Sequence, residues 1–220
     1  MTNPQAPEDF DLTDGWKQDD LASNRFFATM LEKHGASPAA THWGSRSSQE
    51  KRFSVLASIG DLAGARILDV GCGLADLHDW LKRQGITCDY TGVDLSPEMI
   101  AAASQRDPSL KLFAGIILEG VACLAKSYDY VLASGIFYRR STEQMLFLEK
   151  MAERMFALCD RGVAFNSLSG WAAERDADEF YADPVISLAM ARKITPWVTL
   201  RHDYHFADFT LYLRREAAES

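Results

Sequence analysis

Basic residues are in short supply in this sequence, and so are the features that staple or anchor a chain. Among 220 residues, Lys and Arg number 23 against 31 Asp and Glu, a formal net charge of −8. A broad nucleic-acid surface rests on clustered Lys and Arg, so no polynucleotide partner is expected. The longest apolar runs, Leu112–Leu118 and Val131–Tyr138, fall far short of the roughly 20 residues of a membrane helix. They suit buried strands, and no membrane partner is expected. The four cysteines, Cys72, Cys88, Cys123 and Cys159, include no CxxC pair, and the five histidines show no HExxH or other paired spacing. Neither a disulfide framework nor a metal site is expected, and scattered reduced thiols point to the cytoplasm. Residues 1–20 are acidic and Pro-bearing, without the basic start and apolar centre of a signal peptide. No internal repeat or long low-complexity stretch occurs.

What is present is core material. Twelve Phe, seven Tyr and five Trp, with 47% hydrophobic residues, argue against disorder and for one globular domain. The chain divides into a flexible tail (1–18), an N-terminal helical cap (19–64) and an α/β domain (65–220) with an insertion at about 169–196. Leu21, Phe27, Met30, Leu31 and His34 recur at helical spacing over 19–34, with Gly35 as the stop. A loop over 36–44 and a helix over 48–59, burying Phe53, Leu56 and Ile59, complete the cap. From Ala65 onward short apolar runs alternate with helical stretches. The pattern predicts strands over 66–70, 88–93, 110–114, 128–134 and 163–168, and helices over 76–84, 97–104, 141–159 and 184–193. Ser141 followed by Gln144 reads as a capping box. The runs 198–204 and 209–214 are separated by a turn too short for a crossover helix, so they are antiparallel. Apolar strands alternating with helices mean a parallel sheet covered on both faces.

The strongest local signal is Ile67-Leu68-Asp69-Val70-Gly71-Cys72-Gly73-Leu74-Ala75-Asp76, an apolar strand running through Gly-x-Gly into a helix. Glycines there permit a tight turn and close ligand approach. Asp69 sits at the strand's carboxyl end, where ligands bind in open α/β sheets. The next strand ends at Asp94, in Gly92-Val93-Asp94-Leu95-Ser96, where a carboxylate can accept two hydrogen bonds from a ribose diol. Dehydrogenases share Gly-x-Gly, so a nicotinamide-dependent oxidoreductase is one reading. Against it, Asp76 occupies the third glycine of the dinucleotide fingerprint, and an acid near a helix start repels a pyrophosphate. Two acids around the glycines suit a cofactor without phosphates.

In these residues the chain resembles the class I S-adenosylmethionine-dependent methyltransferases. Leu68–Gly73 looks like that family's first motif, Gly92–Ser96 like its acidic second motif, and the trailing antiparallel pair like its reversed final strand. The resemblance covers roughly 65–215 and implies a Rossmann-like, doubly wound, seven-stranded sheet, mostly parallel with an antiparallel final strand. It implies S-adenosyl-L-methionine as cofactor and S-adenosyl-L-homocysteine as product. Asp69 would then lie near the methionine amino group, Gly71, Cys72 and Gly73 beneath the cofactor, Asp94 on the ribose hydroxyls, and Leu95 and Met99 beside the adenine. Many relatives carry an acid after the third strand; here the run is Leu112-Phe113-Ala114-Gly115-Ile116, so backbone of Gly115 and Ile116 would serve the adenine. His42-Trp43-Gly44-Ser45 with Arg52, and Ala133-Ser134-Gly135-Ile136-Phe137, look like further elements of small bacterial members. Trp43 would cover the cofactor, Arg52 would pair with its carboxylate, and Ser134 would lie near it.

Methyl transfer from a sulfonium requires alignment of the nucleophile, exclusion of water and, for a hydroxyl, removal of a proton. Methyltransferases of DNA and amide nitrogens carry an Asn/Asp-Pro-Pro-Tyr-like run at the fourth strand tip. Ala-Ser-Gly-Ile-Phe-Tyr stands here, which argues against base amines. The expected acceptor is an oxygen or nitrogen of a small polar molecule, such as a metabolite or sugar derivative. Tyr138, Asn166, Trp171, Tyr181 and Tyr204 are candidate substrate contacts, and His202, His205 and Tyr138 candidate catalytic groups. The insertion is the candidate substrate lid. A regulatory cofactor-binding subunit without activity is the non-enzyme reading, and monomer and homodimer both stay open.

Overall fold

The computed structural model describes residues 14–41, 44–121 and 127–217. Seven strands form one sheet: β1 (Arg66–Val70), β2 (Asp89–Asp94), β3 (Lys111–Ala114), β4 (Tyr128–Ala133), β5 (Cys159–Leu168), β6 (Trp197–Arg201) and β7 (Asp208–Arg214), in the order β3-β2-β1-β4-β5-β7-β6. Pairing is parallel from β3 through β5, and β7 is antiparallel to both β5 and β6. This is the expected Rossmann-like sheet with a reversed final strand. Strand order reverses between β1 and β4, which opens a crevice at their carboxyl ends.

The period of two in a strand sorts its side chains between two layers. Leu68, Val70, Val131, Ala133, Val163, Phe165, Phe209, Leu211 and Leu213 share one core with α5 (Gln144–Ala157) and α6 (Pro184–Ile194). Ile67, Tyr130, Leu132, Ala164 and Tyr212 alternate with them and face α2 (Arg46–Ala57) and α3 (Asp76–Arg83) on the other side. Each fully buried Leu, Val or Phe stabilises the fold by about 1.5–3 kcal/mol before entropy is counted. Helix α4 (Pro97–Arg106) starts at Ser96, whose hydroxyl accepts from Met99 N, and at Pro97, which suits a first turn.

Helix α1 (Asp14–His34) roofs the carboxyl edge of the sheet. Trp16, fully buried, meets Phe147 of α5 edge to face at 5.3 Å. Asp19 accepts from Ser141 Oγ (2.6 Å) and Thr142 N (3.0 Å), and Asp20 pairs with Arg140. At its other end Phe27 and Leu31 pack on Ala40, Leu74 and Met99. Gly35 ends the helix with φ +62°, a left-handed turn that suits glycine.

Four local expectations are corrected. Helix α1 starts at Asp14 rather than Asp19, so the last residues of the expected tail are helical. No capping box forms at Ser141, because Asp19 takes its hydroxyl; α5 starts at Gln144, after Glu143 at φ 43°. Strand β5 begins at Cys159 rather than at 163, and α5 ends at Ala157 before it. Strand β6 stops at Arg201, so His202 and His205 lie in the β6–β7 connection. Among the described residues no helix is long and apolar enough to cross a membrane, and Cys72, Cys88 and Cys159 form no disulfide with one another; Cys123 lies outside the described residues.

Candidate active site

A cavity of about 300 Å³ opens at the carboxyl ends of β1, β2, β4 and β5, beneath α1. The sequence places the glycine loop on its floor. Gly71 N and Cys72 N donate to Val93 O (2.8 and 3.1 Å), which ties the loop to β2. Gly71 has φ +72°, and a Cβ there would fall 2.2 Å from Ile136 Cγ2. Gly73 has φ +52°. Only a residue without a side chain keeps this turn bare enough for a ligand to lie on its backbone.

The two motif acids meet at this loop. Asp94 Oδ2 accepts from Gly73 N (2.8 Å) and Oδ1 from Ser96 N (2.8 Å). Burial raises its pKa, and the two backbone bonds oppose that rise. Asp69 is buried and accepts from Tyr90 Oη at 2.6 Å. Burial foremost, offset by the Tyr90 bond and reinforced by the charges of Asp94 and Asp76, pushes its pKa up to about 7. A carboxylate so desolvated, with no ion pair to a described residue, is chemically disposed toward a cationic ligand.

Of the residues expected to hold cofactor, Arg52, Asp69, Gly71, Cys72, Gly73, Asp94, Leu95, Met99, Gly115, Ile116 and Ser134 all line the cavity. Trp43 lies outside the described residues. Arg52 is engaged within the protein: Nη1 donates to Ser48 O (2.9 Å) and Nη2 to Asp208, both partners of this pair being buried. Tyr138 and Asn166, expected on substrate, also line the cavity. Asn166 braces the loop after β4, its Oδ1 accepting from Gly135 N and its Nδ2 donating to Ser134 Oγ, each at 2.9 Å. Burial holds the Tyr138 phenol protonated, its pKa well above the ordinary range.

The remaining candidates are absent from the lining. Trp171 is exposed and stacks on His202 at 5.2 Å, and His202 Nε2 meets Ser169 Oγ at 2.7 Å. Tyr204 is buried against Thr210 Oγ1 (2.8 Å). Tyr181 donates to Glu179 Oε2 (2.8 Å), and it is Glu179 that lines the cavity. His205 reaches the site through Asp208, with Nδ1 at 2.7 Å from Asp208 Oδ2. Burial lowers the His205 pKa, with the Asp208 charge opposing.

Asp208, Glu179 and Arg139 line the cavity without having been singled out in the sequence. Asp208 carried a signal: β7 is reversed, so its first residue lies opposite Leu168, at the ligand-binding edge of β5. Glu179 and Arg139 sit in irregular segments and carried none.

These residues fit a cationic nucleoside cofactor. Gly71 and Gly73 leave backbone exposed to the cavity, Asp94 lines it, and Asp69 adds a buried carboxylate with no ion pair to a described residue. Asp76, near the start of α3, pairs with Arg106 (2.9 Å) and accepts from Gln49 Nε2 (3.1 Å), a poor seat for a pyrophosphate.

Comparison with known proteins bears on the same elements. Residues 67–156 match the family described as a methyltransferase domain. The "Putative methyltransferase Rv1506c" of Mycobacterium tuberculosis is 36% identical over 159 residues, covering 68% of this chain and 92% of its own. A ubiquinone biosynthesis O-methyltransferase of Xanthomonas oryzae pv. oryzae is 34% identical over 90 residues, spanning 37% of this chain and only 36% of that protein. Among solved structures, magnesium protoporphyrin IX methyltransferase from Synechocystis PCC 6803 with bound SAM superposes with a TM-score of 0.63 at 16% identity, covering 90% of this chain and 97% of that one. The DhpI–SAH complex superposes with a TM-score of 0.63 at 14% identity, over 94% and 100% of the two chains. At such identities the likeness is one of fold.

Proposed function

The chain belongs to the class I S-adenosylmethionine-dependent methyltransferase family, and from that premise we propose that it methylates an oxygen or nitrogen of a small polar molecule inside the cavity beneath α1. Membership makes it an enzyme with S-adenosylmethionine as cofactor, which sets aside the nicotinamide-dependent and non-catalytic alternatives. The bound cofactor supplies a methyl group already activated by the sulfonium charge.

The residues divide the remaining work. Asp94 and the Gly71–Gly73 backbone hold the nucleoside, and Leu95, Met99 and Ile116 flank its base. Asp69, ionised, meets the amino group. Tyr138, Asn166 and Asp208, which line the same cavity, form the acceptor side. Tyr138, protonated, donates a hydrogen bond that orients the acceptor. Asp208 is the proton acceptor for a hydroxyl: it lines the cavity, and burial raises its pKa against Arg52 and His205. His205 positions it from behind. Residues 169–183 act as a lid, since Phe180 N donates to Tyr138 O at 2.8 Å. Enclosure by α1 and this segment excludes water from the transfer.

The observation that carries this reading is one cavity lined both by the two motif acids and by Tyr138, Asn166 and Asp208. The test is incubation with methyl-labelled S-adenosylmethionine and a panel of small phenols, amines, sugars and, as controls, DNA and RNA. Label transfer to a small hydroxyl or amine is expected. Transfer to polynucleotide alone would overturn the proposal.

A further inference from the structure

Two arginines follow β4 in succession and meet opposite fates. Arg140 is buried; Nη1 donates to Trp16 O (3.1 Å), Nη2 to Asp20, and its guanidinium lies 3.7 Å from the Phe147 ring centre. Arg139 is half-buried and lines the cavity. Its guanidinium carbon sits 3.8 Å over the Phe26 ring centre of α1, and among the described residues no oxygen accepts a hydrogen bond from it. The other cation in the lining, Arg52, is neutralised by Asp208. The remaining charged groups there are acids: Asp69, Asp76, Asp94, Glu179 and Asp208.

We propose that the methyl acceptor carries a carboxylate and that Arg139 reads it. The contact with the Phe26 ring holds the guanidinium at the cavity wall, and the planar fork of a guanidinium matches a planar, two-oxygen partner. The other charged side chains among the described lining residues are the acids and the acid-paired Arg52, so Arg139 also sets the acceptor's orientation. Arg139 directly follows Tyr138, whose carbonyl accepts from Phe180 N of the 169–183 segment at 2.8 Å. That location assigns the carboxylate to the acceptor and not to the cofactor's methionine. The inference rests on the proposed reading of the cavity.

The test is calorimetry on enzyme saturated with S-adenosylhomocysteine, titrated with 3,4-dihydroxybenzoate and, as its neutral match, 3,4-dihydroxybenzamide. Wild type is expected to favour the acid by about tenfold or more, the weight of a charge-assisted bond. Arg139→Met retains packing against Phe26 and should lose that preference while S-adenosylhomocysteine affinity stays unchanged. Arg139→Lys should keep part of it. Absence of acid binding up to millimolar concentration, equal binding of acid and amide by wild type, or a preference retained in Arg139→Met would each overturn the proposal. So would weakened S-adenosylhomocysteine binding with the preference intact, which would assign Arg139 to the cofactor. Failure of wild type to bind S-adenosylhomocysteine would instead bring down the underlying cofactor reading.

Discussion

Replacing Asp69 with Asn separates what the fold needs from what the ligand needs. The substitution keeps an oxygen for the Tyr90 hydroxyl, which donates to Asp69 at 2.6 Å. Burial, as the main cause, displaces the Asp69 pKa from near 4 to about 7. A raised folded-state pKa contributes stability that is fully present below about 4 and is lost as pH rises through about 7. Three pH units at 1.36 kcal/mol each give a ceiling of about 4 kcal/mol above pH 7. Asn carries no such penalty. The ligand-free variant should therefore be more stable than wild type at pH 8, by up to about 4 kcal/mol or roughly 8–16 °C in Tm for a chain of this size. At pH 5, where the folded-state carboxyl is already protonated, the gain should shrink to roughly 2 kcal/mol. The same variant should bind S-adenosylmethionine at least about tenfold more weakly, because a charge-assisted bond to the amino group is gone. Thermal unfolding of both proteins without ligand, from pH 5 to 8, is the assay. A variant no more stable than wild type at pH 8, or a difference independent of pH, would refute the reasoning.

Three further outcomes follow from the same geometry. Wild-type affinity for S-adenosylhomocysteine should fall as pH drops below about 7, approaching tenfold per pH unit as Asp69 takes up its proton; calorimetry across pH 5–8 checks this, and a flat profile contradicts it. Gly71→Ala should cost about 1–3 kcal/mol from its φ of +72° alone and abolish cofactor binding. Ile136→Ala, which removes the clash at 2.2 Å, should restore only part of the stability. Removing one member of the buried Arg52–Asp208 pair should cost about 3–5 kcal/mol by leaving the other charge unpaired, whereas Arg52→Met with Asp208→Leu should cost much less than the sum; denaturant titration of the three variants measures the coupling.

Much of the fold was legible because its signals are local and periodic. Ile67, Leu68, Tyr130, Val131, Leu132 and Ala133 read as buried strands, and these residues do split between two cores. The cofactor side was legible too, because Gly71, Gly73, Asp69 and Asp94 cluster at strand ends. The acceptor side was not. Trp171, Tyr181 and Tyr204 have suitable chemistry, but their neighbours are His202, Glu179 and Thr210, fixed by tertiary packing that no periodicity reveals. The same holds for Ser141, whose capping role is overridden by Asp19, 122 positions away in the chain. Asp208 and Arg139 enter the site through a reversed strand and an irregular loop.

The central claim is that the acids at the ends of β1 and β2 hold a cationic nucleoside cofactor on the glycine loop. Calorimetric titration of S-adenosylhomocysteine into wild type and Asp94→Ala, with NAD as the control ligand, tests it most directly. Wild type should bind S-adenosylhomocysteine and not NAD, and Asp94→Ala should bind it at least about tenfold more weakly, since both carboxylate oxygens are lost to the ribose and the loop. Binding of NAD in its place, or unchanged affinity in Asp94→Ala, would contradict the account.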